Sequence, residues 1–347
     1  MNTVERFLVG NWERLGLGPL GSPRQLTSIV MTPRFRASRH AVLFVFVAGS
    51  ARPLLVVKVP RLPGENGSLD YEVANLRAVH SVRPGGFDSI PRIIAYEDYL
   101  GSRLLVESAM AGHPMKPTVV RREPKTCIQA VLEWLTTLHV ATADWGHVPK
   151  DSFGRLVEKR LRYFERTFPL SREERHLLDA TRRVVSPLEH VQIPVVFEHG
   201  DLSSPNILRL RSGGVGVVDW ELADPRGLPA VDLFFFLSYV AFAQSKAETL
   251  RGYVEAFRSA FFGPDAWAHS YIGPYAERLG LPSAALRALF VACWCRYVIA
   301  FLPRLNDLGA GPRLRPDRET AAWLRANRYF SLWQYAVEHI REARLGG

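Results

Sequence analysis

The strongest constraint on this chain is the stretch Phe197-Glu198-His199-Gly200-Asp201-Leu202-Ser203-Ser204-Pro205-Asn206-Ile207-Leu208, joined through Ser212-Gly213-Gly214 to Val215-Gly216-Val217-Val218-Asp219-Trp220-Glu221. Ile207 to Arg211 and Val215 to Val218 are short, apolar, β-branched runs around a Gly-rich turn, so the local expectation is an antiparallel hairpin. Such a hairpin brings Asn206, at its entrance, and Asp219, at its exit, to the same end. Amide and carboxylate oxygens suit Mg²⁺, which keeps waters and substrate phosphates as its remaining ligands. Asp201 lies five residues before Asn206. His199-Gly200-Asp201 alone is a common turn sequence; three oxygen-bearing side chains in register with one hairpin are what point to a metal-phosphate site.

The spacing of Asp201 and Asn206 is that of the protein-kinase catalytic loop. With His199-Gly200-Asp201-Leu202, Asn206-Ile207-Leu208, Val217-Val218-Asp219-Trp220-Glu221 and Gly227-Leu228-Pro229-Ala230-Val231-Asp232-Leu233, the sequence resembles the aminoglycoside phosphotransferase and choline kinase group of small-molecule kinases. The resemblance implies an α+β, protein-kinase-like fold of two lobes. The small lobe would hold an antiparallel sheet and one main helix, and the large lobe would be mostly helical and carry the catalytic hairpin. It implies a nucleotide-binding lobe over residues 1–107, a hinge over 108–113 and a catalytic and acceptor-binding lobe over 114–347. Asp201 would then be the catalytic base, with Asn206 and Asp219 the Mg²⁺ ligands.

In chain order, Val4, Phe7, Leu8, Trp12 and Leu15 recur at helical spacing and predict an opening amphipathic helix. Strand-like runs follow at Gln25 to Met31, Ala41 to Val47 and Pro53 to Val59. The connection Arg34 to His40 has no glycine with which to cradle phosphate, so either Ser38, Arg36 or Arg39 supplies side-chain contacts there or the segment is a solvated basic turn. Lys58 closes the apolar run Leu54-Leu55-Val56-Val57, and Glu72 sits early in the helical pattern Asp70 to Val79. By resemblance Lys58 pairs the α- and β-phosphates and Glu72 orients it. Further strands are expected at Ile90 to Tyr96 and Arg103 to Glu107. The resemblance puts the purine edge of ATP or GTP against backbone groups from Glu107 to Ala109.

Beyond Gly112 and Pro114 the pattern turns helical. Ile128, Val131, Leu132, Leu135 and Leu138 share one face, which makes His139 a structural residue. Helices are expected over about 153–168 and 172–185, then 246–262, 265–279, 283–302 and 318–343. Asp232 follows Asp219 by only thirteen positions, too few for the long activation platform of a protein kinase, which favours a small acceptor. The resemblance makes Asp232 a brace for the catalytic loop.

Composition excludes several classes. The chain is 47% hydrophobic and 22% charged, ordinary for a globular protein. Its formal charge of +10 comes from 38 arginines and six lysines scattered along the whole length, with no nucleic-acid-binding motif, so a mostly solvated surface is expected and no nucleic-acid partner. Three cysteines make no disulfide framework, which fits a reducing cytoplasm. The apolar stretch Leu228 to Ala243 contains Asp232 and is too short for a membrane span.

The reading is a phosphotransferase that moves the γ-phosphate of ATP or GTP to a hydroxyl of a small molecule, a sugar-like or amino alcohol. The basic chain disfavours a cationic aminoglycoside and hence antibiotic resistance. A nucleotide-binding pseudokinase is the alternative, resting on the glycine-free loop.

Overall fold

The computed structural model describes residues 1–32, 39–62, 64–306 and 316–346. In chain order the principal elements are α1 (Thr3–Asn11), β1 (Leu26–Met31), β2 (His40–Val47), β3 (Leu55–Pro60), α2 (Gly67–Ser81), β4 (Ile93–Tyr99), β5 (Ser102–Ser108), β6 (Gly112–Pro114), α3 (Pro117–Arg122) and α4 (Pro124–Thr142). There follow α5 (Pro149–Phe153), α6 (Lys159–Thr167), α7 (Arg172–Val185), β7 (Val196–Glu198), β8 (Ile207–Leu210), β9 (Val215–Val217), β10 (Asp224–Gly227), α8 (Val231–Ser245), α9 (Leu250–Phe261), α10 (His269–Leu279), α11 (Ser283–Asn306), α12 (Arg318–Ala326) and α13 (Arg328–Glu338). The chain divides into two compact units, Met1–Pro114 with Asn206–Ala223, and Met115–Pro205 with Asp224–Gly347. The hairpin β8–β9 therefore belongs with the N-terminal elements although it lies far along the chain.

In the first unit a five-stranded antiparallel sheet runs in the order β1-β2-β3-β5-β4. Strand residues alternate between faces. Leu55 and Val57 face a core formed with Val4, Phe7 and Leu8 of α1 and with Leu43, Val45, Leu104 and Val106. Asn2 starts α1 as a capping box, accepting from Glu5 N while the Glu5 carboxylate accepts from Asn2 N, each at 2.9 Å. The opposite face of the sheet carries Leu105, which packs on Leu69 and Val73 of α2. Lys58 pairs in register with Leu105, so it too projects toward the α2 side.

The smaller sheet of this unit, β6-β8-β9, contains the expected hairpin. Gly213 and Gly214, at φ 93° and 71°, make its turn, a left-handed conformation that glycine adopts without steric cost. The backbone bond from Val218 N to Asn206 O, 3.0 Å, closes its open end.

The second unit is helical apart from the two-stranded pair β7–β10. Its core is built on α8 and α11, whose Phe234, Phe236, Phe290 and Trp294 are fully buried. The longest apolar stretch is in α11 rather than at 228–243. Ser283–Leu305 would suffice to cross a membrane by length and composition alone, but 83% of its apolar window is buried within the protein, as expected of a core helix. The single helix expected over 318–343 is two, because the Asn327 side chain accepts the Tyr329 N–H at 3.0 Å and starts α13 afresh. The segment expected at 153–168 starts earlier, at Pro149, and passes through one π turn over Gly154–Glu158.

Gly112 tests the junction of β6 with the hairpin. A Cβ there would lie 2.6 Å from the Arg209 carbonyl oxygen, which is backbone and cannot swing away. Gly112→Ala should therefore cost about 1–3 kcal/mol in urea unfolding, the usual penalty for overpacking; an unchanged midpoint would show that the β6–β8 contact is not tight.

Candidate active site

Two features of the sequence concentrate charge in the first unit: a lysine on a strand that is otherwise apolar and a glutamate one turn into the next helix. The fold brings them together in the dark of the protein. Lys58 is 4% exposed and Glu72 is fully buried. Lys58 Nζ donates to Glu72 Oε1 at 2.5 Å and Oε2 at 2.7 Å, and to Asp219 Oδ1 at 2.9 Å. Charges this deep require compensation, since a buried ion without a partner costs several kcal/mol.

The electrostatics follow from that packing. Burial opposes the charge on Lys58, but Asp219, Glu72 and Glu107 outweigh it and hold its pKa well above the ordinary lysine value. Burial also pushes Glu72 upward, with Lys58 pulling it back. Glu107 is 2% exposed and makes no ion pair among the described residues. Burial, reinforced by the Glu72 charge, raises its pKa from 4.5 to about 8, so it is mostly protonated at neutral pH. Lys58 thus pairs with Glu72 and Asp219 and has Glu107 nearby as an acid that burial holds neutral.

The same cluster shapes the backbone after the hairpin. Glu72 Oε1 accepts the Trp220 N–H at 2.9 Å. Asn75, one helical turn beyond Glu72 and on the same face, donates from Nδ2 to the carbonyls of Trp220 at 2.9 Å and Ala223 at 3.0 Å. Trp220 is fully buried and its indole N–H reaches Val217 O at 3.0 Å. Asp219 itself sits at φ 70°, a left-handed conformation uncommon outside glycine. Sequence reasoning missed Asn75; the signal available was its three-residue spacing from Glu72.

Asn206 is 4% exposed, and the 3.0 Å bond from Val218 N to its carbonyl sets it at the same end of the hairpin as Asp219. One amide and one carboxylate oxygen form a hard donor set that fits Mg²⁺. His40, Asp219 and Glu221 also have ligand atoms within 4.8 Å of one another, with His40 Nδ1 3.4 Å from Glu221 Oε2. His40 and Glu221 were not expected at the site from sequence.

Of the remaining expected residues, Ser38 lies outside the described residues. Ala109 lines a cavity of about 270 Å³ together with Ser108, Met110, Ala111, Ile90 and Leu210, and its N–H lies 3.4 Å from Leu54 O. The Glu107 side chain lies on the same face of the sheet as Lys58, where the charges of Lys58 and Glu72 act on it.

The loop bearing Asp201 belongs to the second unit. Asp232, fully buried at the start of α8, accepts the N–H of His199 at 2.6 Å and of Gly200 at 2.9 Å, one on each carboxylate oxygen. This is the brace expected of it. His139 backs the same region, with Nδ1 2.6 Å from the Tyr275 hydroxyl, which accepts the Ala230 N–H at 3.0 Å. Burial lowers the His139 pKa to about 4, so the ring stays neutral as a packing residue. Asp201 is half-buried, and its N–H lies 3.2 Å from His199 Nδ1. Glu198, just upstream, ion-pairs with Arg296 of α11, a buried contact that sequence spacing did not reveal.

The model of the phosphotransferase enzyme family (APH) matches residues 36–269. The chain belongs to this family. It is accordingly a phosphotransferase of the small-molecule kinase type, with the α+β, protein-kinase-like fold expected. Among solved structures it resembles the choline kinase LicA from Streptococcus pneumoniae at 12% identity and a TM-score of 0.52, over 95% of this chain and 99% of that one. It also resembles the macrolide 2'-phosphotransferase MphH from Brachybacterium faecium at 14% identity and a TM-score of 0.44, over 94% and 96% of the two chains. No curated protein sequence matches it.

The neutral Glu107 gives this phosphotransferase a pH signature. The unfolded chain ionises Glu107 near 4.5 and the folded chain near 8, so unfolding releases a proton between these values and stability falls as pH rises. Glu107→Gln should remove that slope. Urea unfolding should show wild type losing ground to the variant steadily from pH 4.5 to 8, and parallel curves would mean that Glu107 is ionised in the folded protein.

Proposed function

We propose that this family member transfers the γ-phosphate of ATP or GTP to a hydroxyl of a small molecule, a sugar-like or amino alcohol. The observation that carries the reading is the buried Lys58 ammonium, fixed by both oxygens of Glu72 and directed at Asp219. A lysine held so deeply by two carboxylates is preorganised to meet phosphate oxygens. Lys58 neutralises the α- and β-phosphates, Glu72 keeps its position, and the backbone from Glu107 to Ala109, leading into the proposed hinge over 108–113, meets the purine. Asn206 and Asp219 hold Mg²⁺, which supplies charge neutralisation across the phosphates when bound.

Asp201 orients the acceptor hydroxyl and takes its proton. The hydroxyl oxygen forms its bond to the γ-phosphorus while the bond from that phosphorus to the departing diphosphate oxygen breaks. This transition state is largely dissociative, so positioning and charge stabilisation suffice and no covalent enzyme intermediate is required. Asp232 acts through the loop, since its two backbone bonds at His199 and Gly200 set the direction in which Asp201 leaves it. Three buried cysteines, Cys127, Cys293 and Cys295, suit a reducing cytoplasm as the place of action.

The test is transfer of labelled phosphate from ATP and from GTP, with Mg²⁺, to a panel of sugars, amino alcohols, nucleosides and aminoglycosides. A labelled product should form with wild type and fall by roughly 10²-fold or more with Asp201→Asn, the scale of a lost general base. Nucleotide binding without transfer to any acceptor would favour a pseudokinase, and undiminished turnover in Asp201→Asn would remove Asp201 from its role.

A further inference from the structure

The second unit holds a guanidinium for which the described residues provide aromatic rings but no ion-paired carboxylate. Arg328, the first residue of α13, is half-buried. Its guanidinium carbon lies 4.7 Å from the centre of the Tyr253 ring, 5.0 Å from Tyr329 and 5.7 Å from Phe242. Phe242 and Tyr253 meet edge to face at 5.0 Å, so they form a corner over which the cation sits. Arg328 Nη2 donates to the Tyr329 hydroxyl at 3.2 Å. Among the described residues, no aspartate or glutamate forms an ion pair with it.

Its neighbours in the same unit are treated differently. Arg325, one turn earlier in the chain, is paired with Glu174 at 2.6 Å, and the buried Arg296 is paired with Glu198. Arg121, half-buried on α3, resembles Arg328 in this respect. It donates to the carbonyl of Ala243, the residue next to Phe242, at 3.4 Å, and no described carboxylate pairs with it. Two guanidiniums thus approach adjacent residues near the C-terminal end of α8, both without a counter-ion among the described residues.

Aromatic faces stabilise a cation but offer its N–H donors no oxygen acceptors, and the hydroxyls of Tyr329 and Tyr253 take up only part of them. Arginine has five such donors in a planar fork that matches a carboxylate or phosphate, and two of these oxygens bound side by side would satisfy it. The location relative to the chemistry is set by Tyr329. Its ring lies 5.7 Å from that of Phe235, three residues along α8 from the Asp232 that braces the Asp201 loop; burial raises the pKa of this phenol, Arg328 lowers it and the charge of Asp201 raises it again. The three rings are also the kind of surface that would otherwise receive an ammonium group, and here the chain's own cation occupies it.

Resting on the phosphotransferase reading above, we infer that the acceptor carries an oxyanion, a carboxylate or a phosphate, and that Arg328 binds it and fixes which hydroxyl is offered to Asp201. The same charge rejects cationic acceptors, a specificity obtained by repulsion as much as by attraction. Arg121 adds to the local positive potential.

The experiment is isothermal titration of the full chain with glucuronate, glucose 6-phosphate and glucosamine, which share a sugar ring and differ in charge. Wild type is compared with Arg328→Gln and Arg328→Lys, each checked for an intact thermal transition. At least one of the two anionic sugars should bind wild type about tenfold or more tightly than Arg328→Gln, with Arg328→Lys between them, the loss expected of one charged hydrogen-bonded contact. Preference for glucuronate over glucose 6-phosphate, or the reverse, identifies the oxyanion. Equal affinity of wild type and Arg328→Gln, no binding of either anion, or tighter binding of glucosamine overturns the inference. Anion binding that depends on Arg328, without phosphate transfer to any alcohol, sustains the anion site and counts against the kinase reading alone.

Discussion

A lysine ammonium buried beneath a sheet cannot be tolerated without partners, and in this chain the partners come from three places in the sequence. Glu72 approaches from α2, Asp219 from the exit of a hairpin some 160 residues away, and Glu107 from the adjacent strand as a neutral acid. The cost of stranding any of these charges is several kcal/mol, so the cluster is weak as a source of net stability but strong as a constraint on arrangement. It requires α2 to lie on the Lys58 face of the sheet and the hairpin to join the N-terminal unit. It also requires the backbone at Trp220 to face Glu72, a requirement met with Asp219 in a left-handed conformation. Asn75 adds two further bonds to the same segment, so the backbone just after Asp219 is held by the helix as well as by its own hairpin.

Much of this was legible in the amino-acid sequence because it depends on short-range pattern. The β-branched runs around Ser212-Gly213-Gly214 can do little other than pair, and a lysine ending an apolar strand needs an explanation that the following helix supplies with Glu72. The strands of the small sheet appear within one to three residues of their expected starts for the same reason. What was not legible depends on contacts between distant residues or on small local choices. Whether Glu107 offers its backbone or its side chain is decided by burial against Lys58, which periodicity does not encode. The break at Asn327 rests on one side-chain hydrogen bond, and the pairing of Glu198 with Arg296 joins residues from separate helical and strand elements.

The overall positive charge was likewise a poor guide on its own. Most arginines are solvated or paired with nearby carboxylates, as Arg14 is with Glu97 and Arg182 with Glu165. Such exposed pairs contribute little to stability. The informative arginines are the few whose burial and company differ from that background. Arg296 ties α11 to the strand that leads into the Asp201 loop, while Arg328 sits among rings and forms no ion pair with a carboxylate among the described residues. Net charge therefore averages over groups with unrelated roles, and only their placement separates a solvated surface from a recognition element.

The central claim is that Lys58 and Glu72 act as one device for positioning phosphate. A double-mutant cycle on Mg²⁺-ATP affinity, using Lys58→Met and Glu72→Gln, measures this directly. If Glu72 works only through Lys58, each single change weakens binding, and the double variant is no worse than Lys58→Met alone, leaving a coupling of about 1 kcal/mol or more. Strictly additive losses, or a Glu72→Gln variant that binds nucleotide as wild type does, would contradict the account.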